Sequence, residues 1–338
     1  MRITRDTMLK IARDTAAQRV KVTRRVLCIY LTGSCLQEDA LIGGCGDIDL
    51  VMVQDGQPLT PREIVRLNDE ISLDITHYAQ EDFSHPRQLR VSPWMGPILY
   101  NKPLVLHDSN HWFDYVQAAT GAQFLQPDNA LARARQLAET ARRDWLSLSL
   151  GATSDPARQV YGYYKILENA GNAIASLTGV PLTERRFLLN LPQRAAAIQQ
   201  AELSAVLLNL AGGNSEVTDV DWRAWMASWE AALLAVAAVP GCPLRLQAAR
   251  KDYYLRSAAA LWESNPIAAF WIMARTWSLA AAHLPEASEH RAAMAPLLNT
   301  VGLNPEKMDA RLEELDSYLD RVEEGLDRWA QKNGVVSS

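Results

Sequence analysis

The hydrophobic rhythm of the chain changes once, near residue 112. Before that point, short apolar runs alternate with turn-rich stretches. "RVLCIYLTG" (25–33) is β-branched, apolar and closed by Gly33, the pattern of a buried strand. "DIDLVMV" (47–53), "SLDITHY" (72–78) and the weaker "KPLVLHD" (102–108) predict three more strands. Met8, Ile11, Ala12 and Ala16 recur at helical spacing within residues 3–20. "TPREIVRLNDEI" (60–71) opens with Thr60 and Pro61 in the order of an N-cap and first helical residue, and predicts a helix.

Beyond residue 112, alanine and leucine rise, strand patterns stop and the period becomes helical. Helices are predicted over 129–148, 155–178, 183–189, 193–211, 219–238, 243–262, 266–283, 288–300 and 305–331. In the last, Met308, Leu312, Leu315, Leu319, Val322, Leu326 and Trp329 form one stripe on a charged helix. Such a stripe packs on the bundle or, alternatively, on its copy in a homodimer. Trp222, Trp225 and Trp229 share a face and read as core. The expectation is an α/β domain over 1–112, a mixed sheet with flanking helices, followed by an all-α helical bundle over 113–338.

Length and charge narrow the function. The 338 residues suffice for two domains, and the formal net charge of -5 argues against nucleic acid as the main partner. Residues 1–25 nonetheless carry eight basic side chains against two acidic ones, a basic helix face or a rim for an anion. The four cysteines show no metal-ligand spacing, and His77, His85, His107 and His111 form no ligand motif. A cytoplasmic location is expected, with no secretion signal. The apolar stretch 267–284 contains Arg275 and reads as a buried helix rather than a membrane span. "RKDYYLR" (250–256) reads as surface charge.

The chemistry concentrates between Gly33 and Asp74. Alternation along a strand puts Asp47 and Asp49 on one face. Two carboxylates so placed repel unless a cation sits beside them, and oxygen ligands at this density suit Mg²⁺. Asp74, between Leu73 and Ile75, is costly inside an apolar strand unless it is paired or liganded. If its strand lies beside the second, three carboxylates converge. Gly33 permits a sharp turn, and the backbone N–H groups after it, with the Ser34 hydroxyl, are donors for an anion. On helix 155–178, Tyr161, Lys165, Glu168 and Asn172 line one polar face; a solvated face with a Lys165–Glu168 pair is one reading.

A hydrophobic strand, Gly-Ser, twelve residues, Asp-Ile-Asp and a further Asp on a later strand resembles the nucleotidyltransferase superfamily built on the DNA polymerase β-type palm. Gly33, Ser34, Asp47, Asp49 and Asp74 carry the resemblance, which covers about residues 1–110. Gly46 stands where many members have Ser or Asp, and the intervening loop is acidic at Glu38 and Asp39. The resemblance implies two Mg²⁺ ions held by Asp47, Asp49 and Asp74, and an NTP, ATP in the first instance, anchored at Gly33 and Ser34. It implies transfer of a nucleoside monophosphate to a hydroxyl of a small-molecule acceptor, with release of pyrophosphate. It also implies a role for Lys165 on the β- and γ-phosphates, as in antibiotic nucleotidyltransferases, with Glu168 assisting. The alternatives are a protein- or RNA-modifying AMP-transferase of the antitoxin type and a non-catalytic nucleotide-binding module.

Overall fold

The computed structural model describes residues 4–37, 39–101, 103–213 and 217–335. Glu38 of the acidic loop lies outside the described residues. The chain divides into two units, Met1–Asn129 and Ala130–Ser338.

In the first unit, α1 (Arg5–Val22) precedes β1 (Val26–Thr32), β2 (Gly46–Gln54), β3 (Arg62–Arg66) and β4 (Ile71–Ala79). Two short helices follow, α2 (Pro86–Val91) and α3 (Met95–Tyr100), then β5 (Leu104–Asp108) and α4 (Trp112–Gly121). The strands form one mixed sheet in the order β3-β4-β2-β1-β5, in which β2 and β4 run parallel and the other pairs antiparallel. The Thr4 side chain caps α1 by accepting the Thr7 N–H, and Met8, Ala12 and Ala16 are its buried stripe. That stripe packs on the sheet face formed by Ile29, Leu31, Ile48, Leu50, Leu73 and Ile75. On the other face, Cys28, Tyr30, Val51 and Val53 pack with Phe83, Leu89, Leu99, Phe113 and Val116 from the α2–α4 region. Because side chains alternate, the β2 face that carries Val51 and Val53 also carries Asp47 and Asp49 further toward the strand's start.

The segment 60–71 is not a helix. Residues Arg62–Arg66 add β3 to the exposed edge of β4, with Ile64 opposite Asp74 and Arg62 opposite Thr76. The turn between them closes when the Asn68 side chain accepts the Glu70 and Ile71 N–H groups, each at 2.8 Å. The Thr60 hydroxyl bonds the Arg62 carbonyl at 3.1 Å instead of capping a helix. Pairing with an open sheet edge outweighs a local helix-start signal, and the β-branched pair Ile64–Val65 suits the strand.

The second unit is helical: α5 (Pro127–Ser149), α6 (Pro156–Ala175), α7 (Phe187–Ala197), α8 (Ala201–Leu208), α9 (Asp219–Ala237), α10 (Lys251–Trp262), α11 (Pro266–His283), α12 (Glu289–Ala292), α13 (Ala295–Val301) and α14 (Met308–Lys332). Trp222, Trp225 and Trp229 are buried as the periodicity predicts. Met308, Leu312, Leu315, Leu319, Val322 and Leu326 of α14 are buried too, while Arg142 of α5 ion-pairs with its Asp316, Asp320 and Glu323. In α11 the buried Arg275 is neutralised by Glu168 and Glu184. Among the described residues, no helix is long and apolar enough to cross a membrane. The 250–256 segment is not surface charge: Arg250 and Tyr254 are buried. The Tyr254 hydroxyl faces Glu184 at 3.4 Å.

Candidate active site

Gly33 ends β1 with a φ of 76°, in the left-handed region. Residues Ser34–Leu36 then make a single tight turn, closed by Leu36 N–H to the Gly33 carbonyl at 3.3 Å and Gln37 N–H to the Ser34 carbonyl at 2.9 Å. Arg5 of α1 braces that turn by donating to the Cys35 carbonyl at 3.1 Å and the Leu36 carbonyl at 3.3 Å. This gives one of the eight N-terminal basic residues a structural task.

Glycine at position 33 is demanded by Asp49 as well as by the backbone. A Cβ there would lie 2.0 Å from Asp49 Oδ2, so the carboxylate occupies the space a side chain would take. Gly33→Ala is therefore expected to displace Asp49 and to cost about 1–3 kcal/mol in strained backbone alone, measurable as a lower denaturation midpoint. Beside the same carboxylate, Cys35 is buried; burial chiefly, and Asp49 secondarily, push its thiol up to about 11 against an opposing pull from Arg5.

The parallel pairing of β2 with β4 brings the three aspartates together. Asp49 stands in register with Asp74, and Asp47 with Ser72. Asp47 and Asp74 are 4% and 3% exposed. Asp47 Oδ1 accepts the Ser72 hydroxyl at 2.8 Å. One carboxylate oxygen from each aspartate lies within 4.8 Å of the others. Oxygen ligands at ~2.1 Å around a Mg²⁺ ion are about 4 Å apart across the shell, so the set is near the span of one cation. Ser72-Leu73-Asp74 thus lies alongside Asp47-Ile48-Asp49 as a second acidic rung, a relation present in the sequence as two short motifs of equal spacing.

Arg62 is the residue that sequence reasoning missed. Its Nε donates to Asp74 Oδ1 at 2.6 Å and its Nη2 to Asp74 Oδ2 at 2.5 Å, a bidentate pair. Read on a helix, Arg62 had no reason to meet Asp74; read on a strand, it lies on the same face as Asp74, two positions along. That strand assignment was the signal that could have found it.

Other expected site residues fare differently. Lys165 belongs to the helical unit, where its Nζ lies 3.4 Å from Asp144 Oδ2 and its side chain is about half exposed. The polar face of α6 is not a solvated row. Glu168 is ion-paired with Arg275 rather than Lys165. Asn172 is buried, its amide bonding the Leu182 backbone in both directions at 2.6 and 3.1 Å. Both polar groups pair within the helical unit. Asp108, His111 and Asp114 also bring ligand atoms within 4.8 Å of one another, a grouping the histidine spacing did not suggest. There Asp108 accepts the Phe113 N–H at 3.0 and 3.2 Å, a local bond at the start of α4.

No family model matches the chain, and no curated protein matches it. Among solved structures, it is similar to a nucleotidyltransferase-like protein from Exiguobacterium sibiricum, at 9% identity over 93% of this chain and 91% of that one, with a TM-score of 0.28. So slight a likeness carries no function, and the chemistry is read from the residues themselves.

Proposed function

We propose that the first unit is the catalytic centre of a metal-dependent nucleotidyltransferase. It would bind a divalent cation, Mg²⁺ by ligand chemistry, between Asp47, Asp49 and Asp74. The reaction joins a nucleoside monophosphate from an NTP, ATP in the first instance, to a hydroxyl of a small-molecule acceptor. The observation that carries this reading is the register of two acidic strands, Asp49 beside Asp74 and Asp47 beside Ser72, with Gly33 opened against Asp49. Two buried carboxylates and a partly buried third repel one another unless a cation sits among them, and hard oxygen donors select Mg²⁺ over softer metals.

When bound, the cation neutralises charge on the phosphate chain and polarises the phosphoryl oxygens. The chain's own residues then divide the remaining work. Asp47, Asp49 and Asp74 would be the ligands, with Ser72 fixing the orientation of Asp47 by its hydroxyl bond. The Gly33–Ser34 turn offers backbone N–H groups and a hydroxyl to the phosphates. Asp74 takes the proton of the acceptor hydroxyl as its oxygen attacks the α-phosphorus. A new O–P bond forms, the bond from that phosphorus to the bridging oxygen breaks, and pyrophosphate leaves with the electron pair. A pyrophosphate-release assay with Mg²⁺, each of the four NTPs and a panel of polyhydroxylated amines and sugars tests the reading. Release that depends on one acceptor and on Mg²⁺ supports it; no release with any pair contradicts it.

One observation favours a second reading, a nucleotide-binding module without turnover. Arg62 already engages both oxygens of Asp74, the residue assigned as base. Calorimetry with Mg²⁺ and a non-hydrolysable NTP separates the two: tight binding with no pyrophosphate release from the natural NTP selects the module.

A further inference from the structure

We infer that Arg62 is a built-in counter-cation for the acidic cluster, and that a divalent cation binds there by displacing its guanidinium from Asp74. This rests on the proposed metal-binding reading of the same three aspartates. The cluster gathers three carboxylates whose oxygens lie within 4.8 Å of one another. Asp74, 3% exposed, needs a positive partner in the folded chain whether or not a metal is bound. Arg62 supplies it through a fork that takes one oxygen with Nε and the other with Nη2. A planar guanidinium set edge-on to a carboxylate occupies the side of both oxygens from which a metal is also best ligated. Arg62 and a divalent cation on Asp74 would also repel each other at close range.

The placement of Arg62 suits a group that must leave. It is the first residue of β3, the edge strand of the sheet. Its side chain is 36% exposed while its partner is 3% exposed. The head can therefore swing into water, where a guanidinium is well solvated, without any strand pairing being broken. Arg66, at the other end of β3, pairs with the exposed Asp69 in the adjoining turn, so the two strand-end arginines do different jobs. The consequence is an apparent metal affinity set by a competition: the tighter Arg62 holds Asp74, the weaker the cation binds. Phosphates arriving with the metal would in turn give the released guanidinium an anionic partner.

Mn²⁺ binding to the full-length chain tests this, read from the free Mn²⁺ signal in electron paramagnetic resonance and from melting temperature with and without Mn²⁺. If Arg62 holds Asp74 nine-tenths of the time, Arg62→Met should bind Mn²⁺ about tenfold more tightly than wild type. Arg62→Met should also melt lower without metal and gain more on adding it. Arg62→Lys keeps the charge, loses the fork and should fall between the two; it carries the test if the methionine variant does not fold. Asp49→Asn should bind no Mn²⁺. Unchanged or weaker Mn²⁺ binding in Arg62→Met, or in Arg62→Lys where it alone folds, overturns the displacement while leaving the metal site standing, provided wild type binds and Asp49→Asn does not. Absence of binding in wild type and both Arg62 variants overturns the metal reading, and this inference with it.

Discussion

Asp49→Asn is expected to lower Mg²⁺-dependent pyrophosphate release by more than about 100-fold, since loss of a partner behind a ligand already costs 10–100-fold and Asp49 is assigned as a ligand itself. The same variant should fold, and in the absence of divalent cations should melt at or above the wild-type temperature. Removing one of three clustered negative charges relieves repulsion among carboxylates whose oxygens lie within 4.8 Å of one another. Activity and stability would thus move in opposite directions, which a merely structural aspartate would not do. Steady-state assays and thermal melts in chelator-treated buffer read both quantities on one preparation. Asp47→Asn should behave alike, with one difference: the Ser72 hydroxyl still has an oxygen to donate to.

Arg275→Met is expected to be the most destabilising single change in the helical unit, by about 3–5 kcal/mol, because it removes the ion pair of the low-exposure Glu168 and leaves Glu184 to the more distant Arg245. Arg275 reaches Glu184 at 2.7 Å and also ion-pairs with Glu168. Burial pushes the Glu184 carboxyl up, but Arg245, Arg275, Arg250 and Arg185 together hold it below its ordinary value. A carboxylate whose folded value lies below its unfolded value of about 4.3 stabilises the chain above that unfolded value, and the benefit is lost as pH falls through the folded value. Wild-type stability from this group should persist from neutral pH down to about 4 and decline only on further acidification. In Arg275→Met the decline should begin at higher pH, because burial is then less opposed. Tryptophan fluorescence during urea unfolding at stepped pH measures this, since the buried Trp229, Trp271 and Trp277 all lie in this unit.

The parts of the fold that strand or helix period alone dictates were legible in the sequence. β1, β2 and β4 carry apolar alternation on at least one face, and Asp-Ile-Asp declares two carboxylates on the other. The α14 stripe is legible for the same reason, as its buried positions keep to a helical period over the whole length. What was not legible depends on pairing between distant residues. β3 has five residues and carries a convincing helix-start pair just before it; only the free edge of β4 makes it a strand. Arg62 could not be joined to Asp74 until that edge was assigned. Glu168 and Asn172 looked like a polar helix face because their partners, Arg275 and the Leu182 backbone, lie 107 and 10 residues away. Short-range pattern reports which side chains share a face, and it does not report what that face meets.

Asp47, Asp49 and Asp74 would form one divalent-cation site that Arg62 vacates. Anomalous scattering from crystals of the full-length chain grown with Mn²⁺ and a non-hydrolysable ATP analogue tests it most directly. The expected result is a manganese peak ligated by Asp47, Asp49 and Asp74, with the Arg62 guanidinium withdrawn from the Asp74 carboxylate. Crystals that hold the nucleotide but show no manganese there, with Arg62 still paired to Asp74, would contradict it.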